Sequence, residues 1–135
     1  MPVLDDVYLG NPLLKKANVK QEFTQEQILE FMACKADPVY FAKQHVKIVS
    51  LDEGLVPFQP YDFQEQLIRN FHENRFNICK MPRQTGKSTT SVAYLLHYAV
   101  FNDNVNIGIL ANKAATARDL LGRLQTAYEN LPKWM

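Results

Sequence analysis

The chain is sparing with cysteine, with net charge and with long apolar runs, and each shortage removes a class of protein. Its two cysteines, Cys34 and Cys79, stand far apart, with no Cys-x-x-Cys pair and no histidine at ligand spacing. Neither a zinc site nor a disulfide framework is therefore expected, and a reducing cytoplasm fits this usage. The formal net charge is only +1, so no uniformly basic surface announces nucleic-acid binding, and any DNA contact must be local. No apolar run approaches the roughly 18 residues of a membrane span, and no basic-then-apolar leader opens the chain, so the expectation is of a protein neither exported nor embedded. Disorder is excluded as well, because 47% of the 135 residues are hydrophobic, enough to bury a core in one domain.

What is present reads as a series of local signals. Residues 1–22 hold Gly10, Asn11, Pro12, Lys15, Lys16 and Lys20 without apolar periodicity, the pattern of an irregular arm. Thr24 and Gln27 have capping-box spacing, and Phe23 with Ile28 has that of a hydrophobic staple, so a helix is expected from Gln25. Ile28, Phe31 and Met32 would share one face of it, and Asp37-Pro38 would end it. A short helix over Val39 to Gln44 follows. Val46, Ile48 and Leu51 then alternate as a strand, and Asp52-Glu53-Gly54 turns it into a second strand over Leu55 to Phe58. Asp62 and Glu65 repeat the capping logic for a helix with Phe63, Leu67 and Phe71 on one side.

From residue 76 the pattern changes to strand, loop, helix, strand, helix. Phe76 to Met81 is apolar-rich, a Gly-Lys-Ser loop follows, and Thr89 to Phe101 places Val92, Ala93, Leu96, Ala99 and Val100 at helical spacing. After a turn at Asn102-Asp103-Asn104, Val105 to Ala111 reads as a buried strand. Ala117, Leu120, Leu121, Leu124, Tyr128 and Leu131 stripe a last helix. This order implies a parallel, right-handed crossover unit. The expected class is α/β: an incomplete P-loop NTPase parallel sheet of the RecA-like or helicase-like kind, preceded by a mainly helical N-terminal segment. Residues 23–135 would be the N-terminal portion of the ATPase domain.

The string Met81-Pro82-Arg83-Gln84-Thr85-Gly86-Lys87-Ser88 departs from G-x-x-x-x-G-K-[ST] only at its first position. Its working parts remain: Gly86 lets backbone approach phosphate, Lys87 reaches the β- and γ-phosphates of ATP, and Ser88 offers a hydroxyl to Mg²⁺. Gln84, Thr85 and Thr89 complete the candidate nucleotide-binding loop. The bland alternative is a plain strand-to-helix turn with an exposed lysine. Arg83 is either a catalytic arginine finger supplied in cis, acting with Lys87 on the γ-phosphate, or half of a structural ion pair. Gln64 has an amide that matches the edge of adenine, or it is a solvated residue near a helix start. His97 reads as a packed histidine and Cys79 as a buried strand thiol. Asp119 and Arg123 read as a surface pair. Asn112 and Lys113 have two readings, a helix cap or a DNA-coupling role.

Beyond the loop, the chain resembles the N-terminal ATPase domain of the large terminase subunit of contractile-tailed bacteriophages. The likeness rests on Tyr8-Leu9-Gly10, Leu14 to Lys20, Asp37 to Ala42, Phe63-Gln64, Arg83 to Ser88 and Ile107 to Lys113. In that family the first glycine of the loop is commonly missing, so Met81 counts less against nucleotide binding. Arg83 matches the family's loop arginine, and Gln64 its adenine-reading glutamine. The resemblance implies a motor that hydrolyses ATP to drive double-stranded DNA into a capsid. It also implies a portal protein, a small terminase subunit, an oligomeric ring, a separate C-terminal nuclease, and work in the host cytoplasm on the procapsid portal. A helicase-like translocase and a non-hydrolysing nucleotide-binding module are the rivals.

One part of a motor is missing. Hydrolysis needs a strand ending in acids that hold Mg²⁺ and place water. After Lys87 the acids are Asp103, Asp119 and Glu129, and none follows an apolar strand. The expectation is a chain interrupted just after Trp134, whose ATP turnover alone is slow or nil.

Overall fold

The computed structural model describes residues 7–135, which open with a hairpin. Leu9 and Gly10 hold φ of 49° and 74°, and this turn folds Val7–Tyr8 (β1) back on Asn11–Lys15 (β2) as an antiparallel pair. The irregular arm expected over residues 1–22 is therefore corrected over residues 7–15, and residues 1–6 lie outside the described residues. Leucine seldom takes a left-handed conformation, so residue type gave little sign of the turn.

The next helix is set by local hydrogen bonds. Thr24 Oγ1 accepts from the Gln27 amide at 3.2 Å and Gln27 Oε1 from the Thr24 amide at 3.0 Å, which opens α1 (Gln25–Ala36) as expected. Asp37 then both ends α1 and starts α2 (Pro38–His45): its amide bonds Ala33 O at 3.1 Å, and its carboxylate accepts from the Val39 amide at 2.9 Å. Pro38 cannot extend the first helix but suits the first turn of the second. β3 (Lys47–Ser50) and β4 (Gly54–Pro57) pair antiparallel, with Ser50 opposite Gly54 at the turn. The helices α3 (Asp62–Glu73), α4 (Lys87–Phe101) and α5 (Ala114–Glu129) complete a mixed α and β fold.

The core lies where α1, α2, α3 and α4 meet. Cys34, Phe41, Val46, Ile68 and Leu96 are its largest fully buried apolar side chains, and Phe41 and Phe31 set their ring edges against Phe101 at 5.3 and 5.0 Å. Each such buried side chain contributes roughly 1.5–3 kcal/mol. His97 is packed here, its Nε2 2.9 Å from Cys34 O, and burial pushes its pKa below the usual histidine value. Two expected faces are corrected. α1 turns Phe31 and Cys34 inward while Ile28 and Met32 stay exposed, and Phe23 is exposed too. α3 buries Gln64, Leu67 and Ile68, while Phe63 stacks on Tyr61 outside the core.

No parallel sheet forms among the described residues. Phe76–Met81 and Val105–Ala111 take part in no ladder, and Ile78 is fully exposed. A helix satisfies its own backbone, whereas a strand needs a neighbour for its N–H and C=O groups. Neither segment has one. Cys79, expected in a buried strand, is consequently exposed. At α5 the cap position falls on Lys113 with no side-chain bond, so Asn112 does not cap the helix. Asp119 and Arg123 do pair on its surface at 3.1 Å.

Candidate functional site

The loop between α3 and α4 is shaped by two left-handed residues. Gln84 has φ of 61°, and Gly86, the residue before α4, has φ of 76° and ψ of 20°. Such turns point successive amides outward instead of back onto the chain. Arg83 and Gln84 form a hydrogen-bonded turn; among the described residues the amides from Gly86 to Thr89 have no protein acceptor, and the next bond is Thr90 N to Gly86 O at 2.9 Å. Thr90 adds its hydroxyl to the same oxygen at 2.8 Å, which anchors the start of α4.

The loop is also tied to itself and to α3. Lys87 folds back so that Nζ donates to Met81 O at 2.7 Å and Pro82 O at 2.6 Å, and Thr85 Oγ1 donates to Pro82 O at 3.0 Å. From α3, Gln64 accepts from the Tyr61 amide at 2.9 Å and donates to Thr85 O at 3.4 Å. Its side chain lies so close to Gly86 that a Cβ there would overlap Gln64 Nε2. Gln64 is 5% exposed, so it is not a solvated surface residue.

The structure thus brings Gln64 into direct contact with Thr85 and Gly86 and holds Lys87 on the Met81 and Pro82 carbonyls, while Arg83, Gln84 and Ser88 are exposed on the loop. Among the described residues Arg83 has no ion-pair partner. Beside Lys87 and Ser88 opens a cleft of about 300 Å³, walled by Ser91, Val92, Gly108 and Leu110, with no carboxylate among its lining residues. Glu129 is engaged with Asn11 and Gln125, each at 3.1 Å, and Asp119 with Arg123. The loop therefore offers unpaired amides, an ammonium, a guanidinium and a hydroxyl, a set suited to a polyanion.

A second constellation was not foreseen. Glu30 Oε1 lies 2.8 Å from His45 Nε2 and 3.6 Å from Cys34 Sγ, and its other oxygen accepts from Tyr40 Oη at 3.0 Å. These hydrogen bonds, led by the one from His45, hold Glu30 below the ordinary carboxylate range. A signal did exist: Glu30 and Cys34 are four apart on one helix, and the Asp37-Pro38 break turns the chain so that His45 returns to them.

No protein-family model matches the chain. Among the described residues no helix is long and apolar enough to cross a membrane.

Proposed function

We propose that residues 81–89 bind the phosphates of ATP with Mg²⁺. The observation that carries this reading is the run of amides from Gly86 to Thr89, without protein acceptors among the described residues, close to the Lys87 ammonium. On phosphate, Lys87 exchanges two neutral carbonyls for charged oxygens, a stronger class of hydrogen bond. Gly86 keeps the backbone open to close approach, and the N-terminus of α4 adds its partial positive charge. Ser88 would hold Mg²⁺, which supplies charge neutralisation at the phosphates when bound. Arg83, which has no ion-pair partner among the described residues, reaches for the γ-phosphate, and Gln64 reaches for the adenine edge once it releases Thr85 O.

Under this reading Phe76–Met81 and Val105–Ala111 are two strands of an incomplete P-loop parallel sheet of the RecA-like or helicase-like kind. Support comes from their shared position: both border one open cleft of about 580 Å³ against α4, lined by Asn77, Tyr94, Tyr98, Asn106 and Ile107. The motif resemblance takes the proposal one step further, to the large terminase subunit of contractile-tailed bacteriophages. There ATP hydrolysis would drive double-stranded DNA into a capsid, with portal protein and small terminase subunit as partners in a ring, in the host cytoplasm. Among the described residues no carboxylate lines the cleft beside Lys87, and the narrower reading for these 135 residues is nucleotide binding without rapid hydrolysis.

Titration of the folded chain with fluorescent ATP and Mg²⁺ tests the site. Saturable association is expected in the wild type and is lost in Lys87→Ala. No saturation by a folded wild type, or equal binding by the variant, overturns the reading. ATP turnover of about 1 per second or faster would overturn its narrower form.

A further inference from the structure

We propose that Glu30, Cys34 and His45 form a binding site for one zinc-class divalent cation that clips α1 to α2. Their three ligand atoms all lie within 4.8 Å of one another. Zinc bonds of roughly 2.0–2.3 Å in a tetrahedron set neighbouring ligand atoms about 3.3–3.8 Å apart. Sγ of Cys34 already stands 3.6 Å from Glu30 Oε1, and His45 Nε2 at 2.8 Å has only to withdraw by a fraction of an ångström. Thiolate, imidazole and carboxylate together suit zinc or cobalt, whereas magnesium and calcium prefer oxygen ligands alone.

The surroundings hold these groups in place. Glu30 and Cys34 share one face of α1, and the Asp37 cap joining α1 to α2 fixes where His45 arrives. Packing against the rings of Phe41 and Trp134, at 6.3 and 6.2 Å, orients the imidazole. Tyr40 Oη, 3.0 Å from Glu30 Oε2, supplies the outer hydrogen bond that commonly steadies a ligating carboxylate. Cys34 is fully buried, but the Glu30 and His45 side chains retain 30% and 15% exposure, which leaves the cation a path inward and a fourth position for water. Without metal, burial and the Glu30 charge push the Cys34 thiol up to about 12, and its intact S–H donates a hydrogen bond to Glu30. Cation binding replaces that hydrogen: the Cys34 S–H bond breaks, an S–metal bond forms, and the proton leaves to solvent. His45 ligates through Nε2: the Nε2 hydrogen that faces Glu30 passes to solvent, and the ring's remaining hydrogen is carried on Nδ1.

The site is independent of nucleotide binding and is tested by cobalt titration of the full chain carrying Cys79→Ser, which removes the exposed thiol. The expected result is saturable binding with a thiolate-to-cobalt charge-transfer band, displacement by Zn²⁺, and a Zn²⁺-dependent rise in Tm that a chelator reverses. Cys34→Ser should remove the band. His45→Ala should weaken binding more than Tyr40→Phe, whose expected loss is on the order of tenfold. A folded chain that gives no band, or a band that survives Cys34→Ser, overturns the proposal. Should Cys34→Ser lose its helical signal, the part-exposed positions decide: undiminished cobalt affinity in both Glu30→Gln and His45→Ala also overturns it.

Discussion

Replacing Gly86 by alanine isolates the contact that fixes the candidate phosphate loop. Gly86 sits at φ 76° and ψ 20°, where a Cβ costs roughly 1–2 kcal/mol. The same Cβ overlaps Gln64 Nε2, and the Gln64 amide is buried between the Tyr61 N–H and Thr85 O. Displacing that amide forfeits one or both bonds at about 1 kcal/mol each, so Gly86→Ala should cost about 2–4 kcal/mol in all. Urea denaturation of Gly86→Ala, Gln64→Ala and the double variant separates the two parts. With Gln64 shortened the overlap disappears, and the cost of Gly86→Ala should fall to the backbone strain of roughly 1–2 kcal/mol. An equal cost in both backgrounds would refute the contact. A cost below about 0.5 kcal/mol in the wild-type background would refute the left-handed conformation itself.

Three further outcomes follow from the core and the caps. Phe41→Ala removes a fully buried ring that meets Phe101 and His97, and should lower unfolding free energy by about 3–5 kcal/mol in urea. Thr24→Ala breaks one half of the reciprocal cap on α1 and should cost about 1 kcal/mol, measured the same way. His97, whose pKa burial lowers from 6.5, binds its proton more readily in the unfolded chain. Stability in the metal-free protein is thus complete above that value and falls as pH drops through it, and urea midpoints for wild type and His97→Gln at several pH values should show a shallower fall in the variant.

The local grammar of the helices was legible because helices are local objects. Thr24 with Gln27 forms its cap where the spacing indicates it and Asp37-Pro38 ends α1 as expected, whereas the cap expected from Asp62 with Glu65 falls one residue earlier, on Tyr61 with Gln64. Which face each helix buries was less legible, since that depends on neighbours. Ile28 and Met32 on α1 have suitable spacing for a core face, yet Phe31 and Cys34 are the pair that meets Phe101 and His97. The Glu30, Cys34 and His45 cluster was missed for a related reason: its members are brought together by the turn between two helices, which spacing along the chain does not measure.

The two segments that flank α4 show the same distinction from the other side. Phe76–Met81 and Val105–Ala111 carry the apolar content of buried strands, yet strand content without a strand partner leaves Ile78 and Leu110 exposed. Among the described residues no sheet ladder lies beneath the loop at 81–86. The loop is held by α4 through Thr90 on Gly86 O and by α3 through Gln64 on Thr85 O. Gln64 was weighed as an adenine reader or a solvated residue, and its burial removes the second option while adding a role as strut. A nucleotide that claimed the Gln64 amide would have to release Thr85 O, so binding at the adenine end would loosen the loop that grips the phosphates unless those phosphates took over its restraint.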